Sequence, residues 1–499
     1  MKKIRFNACL LFLFIFSLLA GCTPSKPSLS AATLTPTMES SPTPTQTPLP
    51  TIAPSPTPTP LPLDGKQTQY IIDATIDYYN RFVTVESRTI YINKTNQPLT
   101  DIVFVVYPTI FQAIYTRSVT VGDGDPVENY HWAGHVMVIP LEQALQPDQK
   151  IEFTHKFDLY MPDRGGVFSH SGKQLNLSYW FPFVPPYDEN EGWLAHDPQL
   201  VNNSFVGEFF IFEAADFDVT ITFTDRRESF MIAAPTVPHE EDGTISYQLD
   251  LARTFVLSIS DQFVLFERQV EDTTIQSFAL KEHAPVGEVT ADVAVEAFTL
   301  FSELYGPYDR ELLAVVEFNS DIGMEFDGLI FLSPYFYNLY PGTPQSNIHV
   351  YTAHEIAHQW FFSQVGNDQA MEPWLDEAFA AYSERIFYET CYPEHLDWYW
   401  ENYITAHSPR GNIDISIYFG GDILEYRNIV YRNGALFLHD LRTLLGDEAF
   451  FGFVREYVRS YRYKIATGND FFQLLAKSTD IDLTPLFEEY FSTLPEITP

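Results

Sequence analysis

The chain has 499 residues, of which 45 % are apolar and 16 % aromatic, and it carries a formal charge of −37 at pH 7. That length allows about two to four domains, and the apolar share excludes a chain that is disordered throughout. The acid surplus excludes nucleic acid as a partner and disfavours anionic lipid headgroups, because a surface of the same sign repels both.

Residues 1–22 read as a targeting segment. Lys2, Lys3 and Arg5 precede an apolar run from Ala8 to Ala20, too short for a membrane span of about 20 residues and typical of a signal peptide. It ends in Leu19-Ala20-Gly21-Cys22, which resembles a bacterial lipobox. That resemblance implies cleavage before Cys22, acylation of Cys22, and anchoring to the membrane from outside the cytoplasm. Cleavage takes three cations with it and brings the charge to about −40. From Thr23 to Leu63, 12 of 41 residues are proline and most of the others are Thr or Ser. No apolar face can form there. Residues 23–65 are therefore expected to be a disordered, semi-rigid tether reaching as far as about 130 Å at about 3.1 Å per residue. Cys9 leaves with the signal, so Cys391 is the one cysteine left in the folded part, and no disulfide can form within it.

Residues 66–272 are expected to form one large antiparallel β-domain. "YIIDATIDYYN", "FVTVESRTIYINKT", "DIVFVVYP", "KIEFTHKFDLYMP", "FDVTITFTD" and "TFVLSISDQFVLFERQ" are rich in β-branched and aromatic residues. They alternate with period two and are separated by turns such as "NKTNQPLTD" and "HEEDGTIS". The period changes near residue 288. Val293, Ala297, Phe301 and Leu304 share one helical face, stopped by Gly306-Pro307. Two apolar strands, "LLAVVEF" and "GLIFLSP", come next. Helices are then predicted at about 347–363, 374–390, 394–406, 430–445, 448–460, 468–477 and 484–491. Residues 273–499 thus form a mixed domain, and the whole chain is of the α+β class.

The chemistry lies in "HEIAHQW", residues 354–360. On a helix, positions i and i+4 share a face, so His354 and His358 can offer two imidazoles to one metal ion. Glu355, about 100° further round the helix, can reach a water on that metal. Zinc sites of this kind need a third protein ligand and one open position. Glu377 follows His358 after 18 intervening residues in "EPWLDEAFAAYSERI", where Pro373 suits a helix start. It could face the metal from a second helix. His131 and His135 in "HWAGH" also stand four apart, but Gly134 interrupts them and no acid accompanies them, so they are read as structural. Cys391, in "ETCYPEH", shows no nucleophile motif and reads as a small apolar residue.

The segment "HEIAHQWFFSQVGNDQAMEPWLDEAFAAY" resembles the zinc signature of the aminopeptidase N family, which includes leukotriene hydrolase. "GMEFDGLIFL" resembles the family's Gly-x-Met-Glu motif. "VYRNGALFLHDLRTLLGDEAFFGFVREYV" resembles its tyrosine-bearing segment, and "WFPFVPPYDENEGW" has the general look of bacterial members. The resemblance implies a thermolysin-like catalytic domain after the β-domain and one zinc ion per chain, held by His354, His358 and Glu377. It further implies that Glu355 is the general base, that Tyr431 donates to the oxyanion, and that Glu325 binds the substrate's α-ammonium group. Peptides would be the substrates, shortened one N-terminal residue at a time by Glu-assisted attack of a zinc-bound water. Family members also take a second amine anchor from the β-domain, for which Gln174 is the weak candidate. Phe326 and Asn433 stand where the family often has Asn and Lys. The chain ends about where the catalytic domain should end, without the family's helical cap, which leaves strict exopeptidase action open. Two alternatives remain at this point: a zinc endopeptidase with the same site, and a catalytically silent, surface-tethered binding protein. The sequence does not specify an oligomeric state.

Overall fold

A computed structural model of the chain describes residues 65–494, except 125 and 203. The signal segment, Cys22 and all but the last residue of the expected tether lie outside the described residues.

Thr68–Asp77 shows how the first half is built. Tyr70, Ile72, Ala74 and Ile76 are buried, while the residues between them face outward to varying degrees, as expected of a strand with one face on a core. It sits in the middle of a seven-stranded sheet. The order is His239–Glu241, Thr244–Ala252, Ala215–Phe223, Thr68–Asp77, Phe82–Ile92, Lys150–Tyr160 and Ile114–Val121. The expectation of a purely antiparallel domain needs one correction: Thr68–Asp77 pairs in parallel with Ala215–Phe223. The pleat alternates identically in parallel and antiparallel pairs, so the pattern carries no direction. A three-stranded sheet, Leu99–Val105, Val136–Leu145 and His131–Ala133, closes a separate apolar cluster that includes Phe104, Val119, Met137 and Phe153. A four-stranded sheet carries Leu175–Leu177 and Leu257–Ser260.

A five-stranded sheet runs Phe263–Val270, Thr273–Leu280, Leu312–Glu317, Leu329–Leu332 and Met324–Phe326. Its first two strands are a hairpin, so the expected boundary at 272/273 falls inside that hairpin's turn. Alternation marks Phe263–Val270 as a strand but does not say which sheet receives it. Helix Ala284–Tyr305 joins two parallel strands of this sheet, packs on the strand Thr273–Leu280, and also packs on helix Asn347–Ala357. Val293, Ala297, Phe301 and Leu304 are all buried. One apolar cluster extends from Tyr70 in the first half to Leu441 and Phe471 in the second, so the two halves share a core.

The helices depart from the expected spans at two places near the site. Helix Asn347–Ala357 ends with His358 as its C-cap, six residues before the expected end at 363. Trp360, Phe361 and Phe362 continue the apolar period but are buried in a turn. The expected helix 430–445 begins earlier, at Ile423, where Asp422 Oδ1 accepts from Leu424 N and Glu425 N. It passes through a wider π-helical segment at Asn428–Asn433 before Gly434–Leu445. The expected helix 394–406 is broken into short turns of differing pitch. No helix among the described residues is long and apolar enough to cross a membrane.

His155 is an internal liability. It is buried beside the Phe104 ring, 4.4 Å between centroids, and neither ring nitrogen has a hydrogen-bond partner. Burial pushes its pKa down from 6.5 to about 3. The unfolded chain binds a proton between those values and the folded chain does not. Stability is therefore complete above the unfolded pKa and falls as pH drops toward the folded one. His155→Leu is expected to stabilise the protein by about 1–3 kcal/mol at pH 8, the cost of orphaned buried polar groups, and by more at pH 5. Urea unfolding at both pH values checks this; an equal gain at the two would contradict it.

Candidate functional site

Helix Asn347–Ala357 starts where Ser346 Oγ accepts from His349 N, and its last turn carries His354 and Glu355, with His358 as the cap. Helix Trp374–Cys391 packs beside it and carries Glu377 in its first turn. His354 Nε2 and His358 Nε2 stand 3.2 Å apart, and Glu377 Oε2 lies 3.3 and 3.5 Å from them. All three residues are buried.

The outer nitrogens fix the tautomers. His358 Nδ1 lies 2.9 Å from the Phe361 carbonyl, which can only accept. His354 Nδ1 lies 2.7 Å from Glu384 Oε1. Both rings thus donate outward and point lone pairs inward, toward a carboxylate oxygen, Glu377 Oε2, that has no hydrogen-bond partner. Three acceptors aimed at one point call for a cation. Their separations also suit zinc: tetrahedral ligands at about 2.0–2.1 Å from the ion lie about 3.3–3.4 Å apart. The donor set therefore fits a zinc ion, with Glu384 and the Phe361 carbonyl orienting the rings.

Glu355 is not one of these donors. Its Oε2 is buried without a partner. A Cβ at Gly323 would stand 2.0 Å from its Oε1, so the backbone there presses directly on the carboxylate. Carboxylate oxygens of Glu355 and Glu325 and a ring nitrogen of His358 lie within 4.8 Å of one another, which puts Glu355 and Glu325 both beside a metal donor. Glu325 sits on the edge strand Met324–Phe326, paired with Leu329–Leu332. In this sequence the glycine directly precedes Met324. Phe326 is buried against Tyr179 and Phe331.

Tyr431 lies in the π-helical segment. The wider turn alters its facing, and its hydroxyl donates to Glu377 Oε1 at 2.5 Å. The approach depends on Gly434, where a Cβ would stand 2.5 Å from Ala378 Cβ on the Glu377 helix.

Gln174 is away from this cluster. Its amide donates to Ser258 Oγ and the Glu317 carbonyl and accepts from Asn319 N. The acid that the first half contributes is Glu208, half-buried in the segment before Ala215–Phe223. Gln369 Nε2 ties it in, 2.7 Å from Glu208 Oε2, 3.1 Å from Glu325 Oε1 and 3.0 Å from Asp376 Oδ2. Of the residues not singled out in the sequence, Glu384 was findable: it lies two turns after Glu377 on the same helix face. Asp376 adjoins Glu377, while nothing in "VGEFFIF" marks Glu208. His131 is exposed; His135 is buried, 3.8 Å from Asp197. Among the described residues, neither belongs to a converging group of metal-ligating atoms. Cys391 is half-buried, with its thiol pushed up to about 12 by burial and Glu296.

The acids set the electrostatics. Burial pushes Glu355 up to about 8, Glu208 to about 7 and Asp376 to about 8. Burial also drives Glu325 well up, reinforced by Glu208. With no metal ion bound, Glu377 is held down against burial by His354 and His358 in their protonated form. A divalent ion among the three donors supplies the missing positive charge and draws Glu355 back toward its ionised form.

Residues 289–490 match the peptidase family M1 domain. That stretch therefore carries a domain similar to the peptidase family M1 domain. The chain is 28 % identical over 235 residues to aminopeptidase N of Lactobacillus helveticus, covering 43 % of this chain and 27 % of that one. It is 34 % identical over 134 residues to human endoplasmic reticulum aminopeptidase 2, covering 25 % and 14 %. The chain thus spans well under half the length of these curated M1 relatives. A crystallised M1 zinc metallopeptidase of Deinococcus radiodurans has the same fold, with a TM-score of 0.58 at 18 % identity, covering 87 % of this chain and 97 % of that one.

Glu384→Ala should weaken zinc binding about 10–100-fold, as loss of an orienting partner does, while His358→Ala should abolish it. Competition with a chromogenic chelator measures both. Unchanged affinity in Glu384→Ala would remove that carboxylate from the metal site.

Proposed function

We propose that the chain is a zinc-dependent aminopeptidase that removes N-terminal residues from peptides, with one zinc ion on His354, His358 and Glu377. The observation that carries this reading is the spacing of two subsites. A carboxylate oxygen of Glu325 lies within 4.8 Å of one of Glu355 and of a ring nitrogen of the metal donor His358, and Gln369 joins Glu325 to Glu208. A peptide whose α-ammonium group lies between those two carboxylates presents its first carbonyl to the metal donors.

When bound, zinc supplies Lewis acidity toward the carbonyl and the attacking water. Glu355, not spent on the metal, takes the water's proton at its free oxygen and returns it to the leaving amine. Tyr431 is kept protonated, since burial and Glu377 hold its pKa well up. Its hydroxyl, beside the donor set, donates to the carbonyl oxygen as negative charge develops there. Glu208 and Glu325 fix the amine, Gln369 fixes their positions, and Gly323 leaves the base its place.

The chain's location is part of the same proposal. The lipobox-like Leu19–Cys22 and the Pro/Thr/Ser-rich segment support a lipid-anchored protein outside the cytoplasm, at the cell surface or in the periplasm. The surplus of acids over bases suits a soluble domain held off an anionic membrane. Radiolabelled palmitate should enter the full-length chain and be lost in Cys22→Ala; equal labelling of both would remove the anchor.

Glu355→Gln is expected to keep zinc and lose about 10²–10⁴-fold in kcat. Gly323→Ala, which displaces the base, should lose about 10²-fold. Tyr431→Phe should lose about 10²–10³-fold in kcat, also with zinc retained. Glu325→Ala should cut kcat/KM for a free-amine aminoacyl-coumarin at least about tenfold, the worth of one charge-assisted bond, and affect an N-acetylated peptide far less. Equal losses on both substrates would favour an endopeptidase.

A further inference from the structure

At the back of the site, Arg253 leaves the end of strand Thr244–Ala252 and enters the interior, where it is 3 % exposed. Its guanidinium donates only to main-chain carbonyls. Nε reaches Phe362 O at 2.6 Å and Ser363 O at 3.1 Å. One terminal nitrogen reaches Phe212 O at 2.8 Å. The other reaches Gln364 O at 3.3 Å and Lys464 O at 2.8 Å. A planar fork of five N–H groups can serve such a ring of carbonyls, and the three donors of a lysine cannot.

These carbonyls are not arbitrary ones. Phe212 is four residues after Glu208. Phe362 is four residues after His358 and follows Phe361, whose carbonyl holds the His358 ring. The backbone of the same residue reaches the third functional segment. Arg253 N and Thr254 N each donate to Asp327 Oδ2 at 2.9 Å, and Asp327 is two residues after Glu325. Ser363 Oγ closes the knot on Asp327 Oδ1 at 2.7 Å. The turn leaves room for the guanidinium only because residue 366 is glycine: a Cβ there would stand 2.4 Å from Arg253 Cζ.

We propose that Arg253 is a positioning residue of the catalytic site, whose guanidinium sets how far the amine-binding carboxylates stand from the metal donors. It touches no reacting atom. It joins the segment bearing Glu208 to the turn that follows His358, while its backbone fixes the segment bearing Glu325. The amine anchors and the metal therefore keep one separation, the length from a peptide's ammonium group to its first carbonyl. This rests on the aminopeptidase reading given above. An ordinary buried arginine would hold the fold together without favouring one substrate over another. An arginine that sets this length governs the preference for a free amine, and an error of about 1 Å there costs about 10²-fold.

The test compares kcat and KM for a free-amine substrate and its N-acetylated counterpart in the full-length zinc-loaded protein, Arg253→Lys and Gly366→Ala. Gly366→Ala displaces the guanidinium without removing it and decides the matter if Arg253→Lys does not fold. In both variants the free-amine preference is expected to fall about 10–100-fold, mainly through kcat, with one zinc ion still bound. A preference retained in full, accompanied only by a lower melting temperature, would overturn the positioning role. An unmodified protein with no preference for the free amine would instead overturn the aminopeptidase reading, and the positioning role with it.

Discussion

The constraint on which the site depends is an excess of buried negative charge. Glu325, Glu355, Asp376 and Glu377 are buried together, Glu208 is half-buried beside them, and among the described residues no lysine or arginine pairs with any of these five. Two like charges about 4 Å apart repel by about 4 kcal/mol at an effective dielectric constant of 20, so such a cluster persists only if cations or protons answer it. Two imidazoles with inward lone pairs cannot do so while neutral. A dication on the three donors answers the acids on one side. Elsewhere in the cluster, Glu208, Glu325 and Asp376 converge on the amide nitrogen of Gln369, which brings no charge to answer theirs. The proposed substrate, positively charged at its N-terminus, is the charge that this half of the site lacks.

Holding five acids in place takes a rigid frame, and the frame is made at points where ordinary local rules are broken. The His354–His358 helix stops at its second ligand. The Tyr431 helix widens into a π-turn. Gly434 allows its helix to touch Ala378 on the Glu377 helix, and Gly323 brings an edge strand against the base. Each departure costs some local stability, and each moves a side chain that the chemistry uses, as expected where function competes with regular structure. Arg253 and Asp327 tie these pieces together from behind. They do so across both halves of the chain, which is why the strand-rich half belongs to the site and is more than a support.

Much of this was legible in the sequence, for identifiable reasons. Period-two alternation marks strands such as Thr68–Asp77, and helical spacing marks Ala284–Tyr305, because each pattern is the imprint of one buried face. His354, His358 and Glu377 are readable because i,i+4 spacing and two adjacent helices make a metal site a local problem. What the sequence did not reveal is non-local. The parallel pairing of Thr68–Asp77 with Ala215–Phe223, and the transfer of Phe263–Val270 to the second sheet, leave no trace in the alternation. Glu208 comes beside Glu325 only through the fold, so the sequence offers no more than Gln174, a weak candidate, as the second amine anchor. The turn that replaces the end of the His358 helix has carbonyls bound by an arginine more than 100 residues upstream, a contact beyond the reach of any capping rule.

The central claim is that the amine carboxylates and the metal donors measure out one residue of peptide. The most direct measurement is a crystal structure of the zinc-loaded Glu355→Gln protein with an unblocked tripeptide. The account predicts that the ammonium group will lie between Glu208 and Glu325, with the carbonyl oxygen of the first residue at the metal and within reach of the Tyr431 hydroxyl. A peptide that passes through the cleft with its N-terminus in solvent, and an internal carbonyl at the metal, would contradict it.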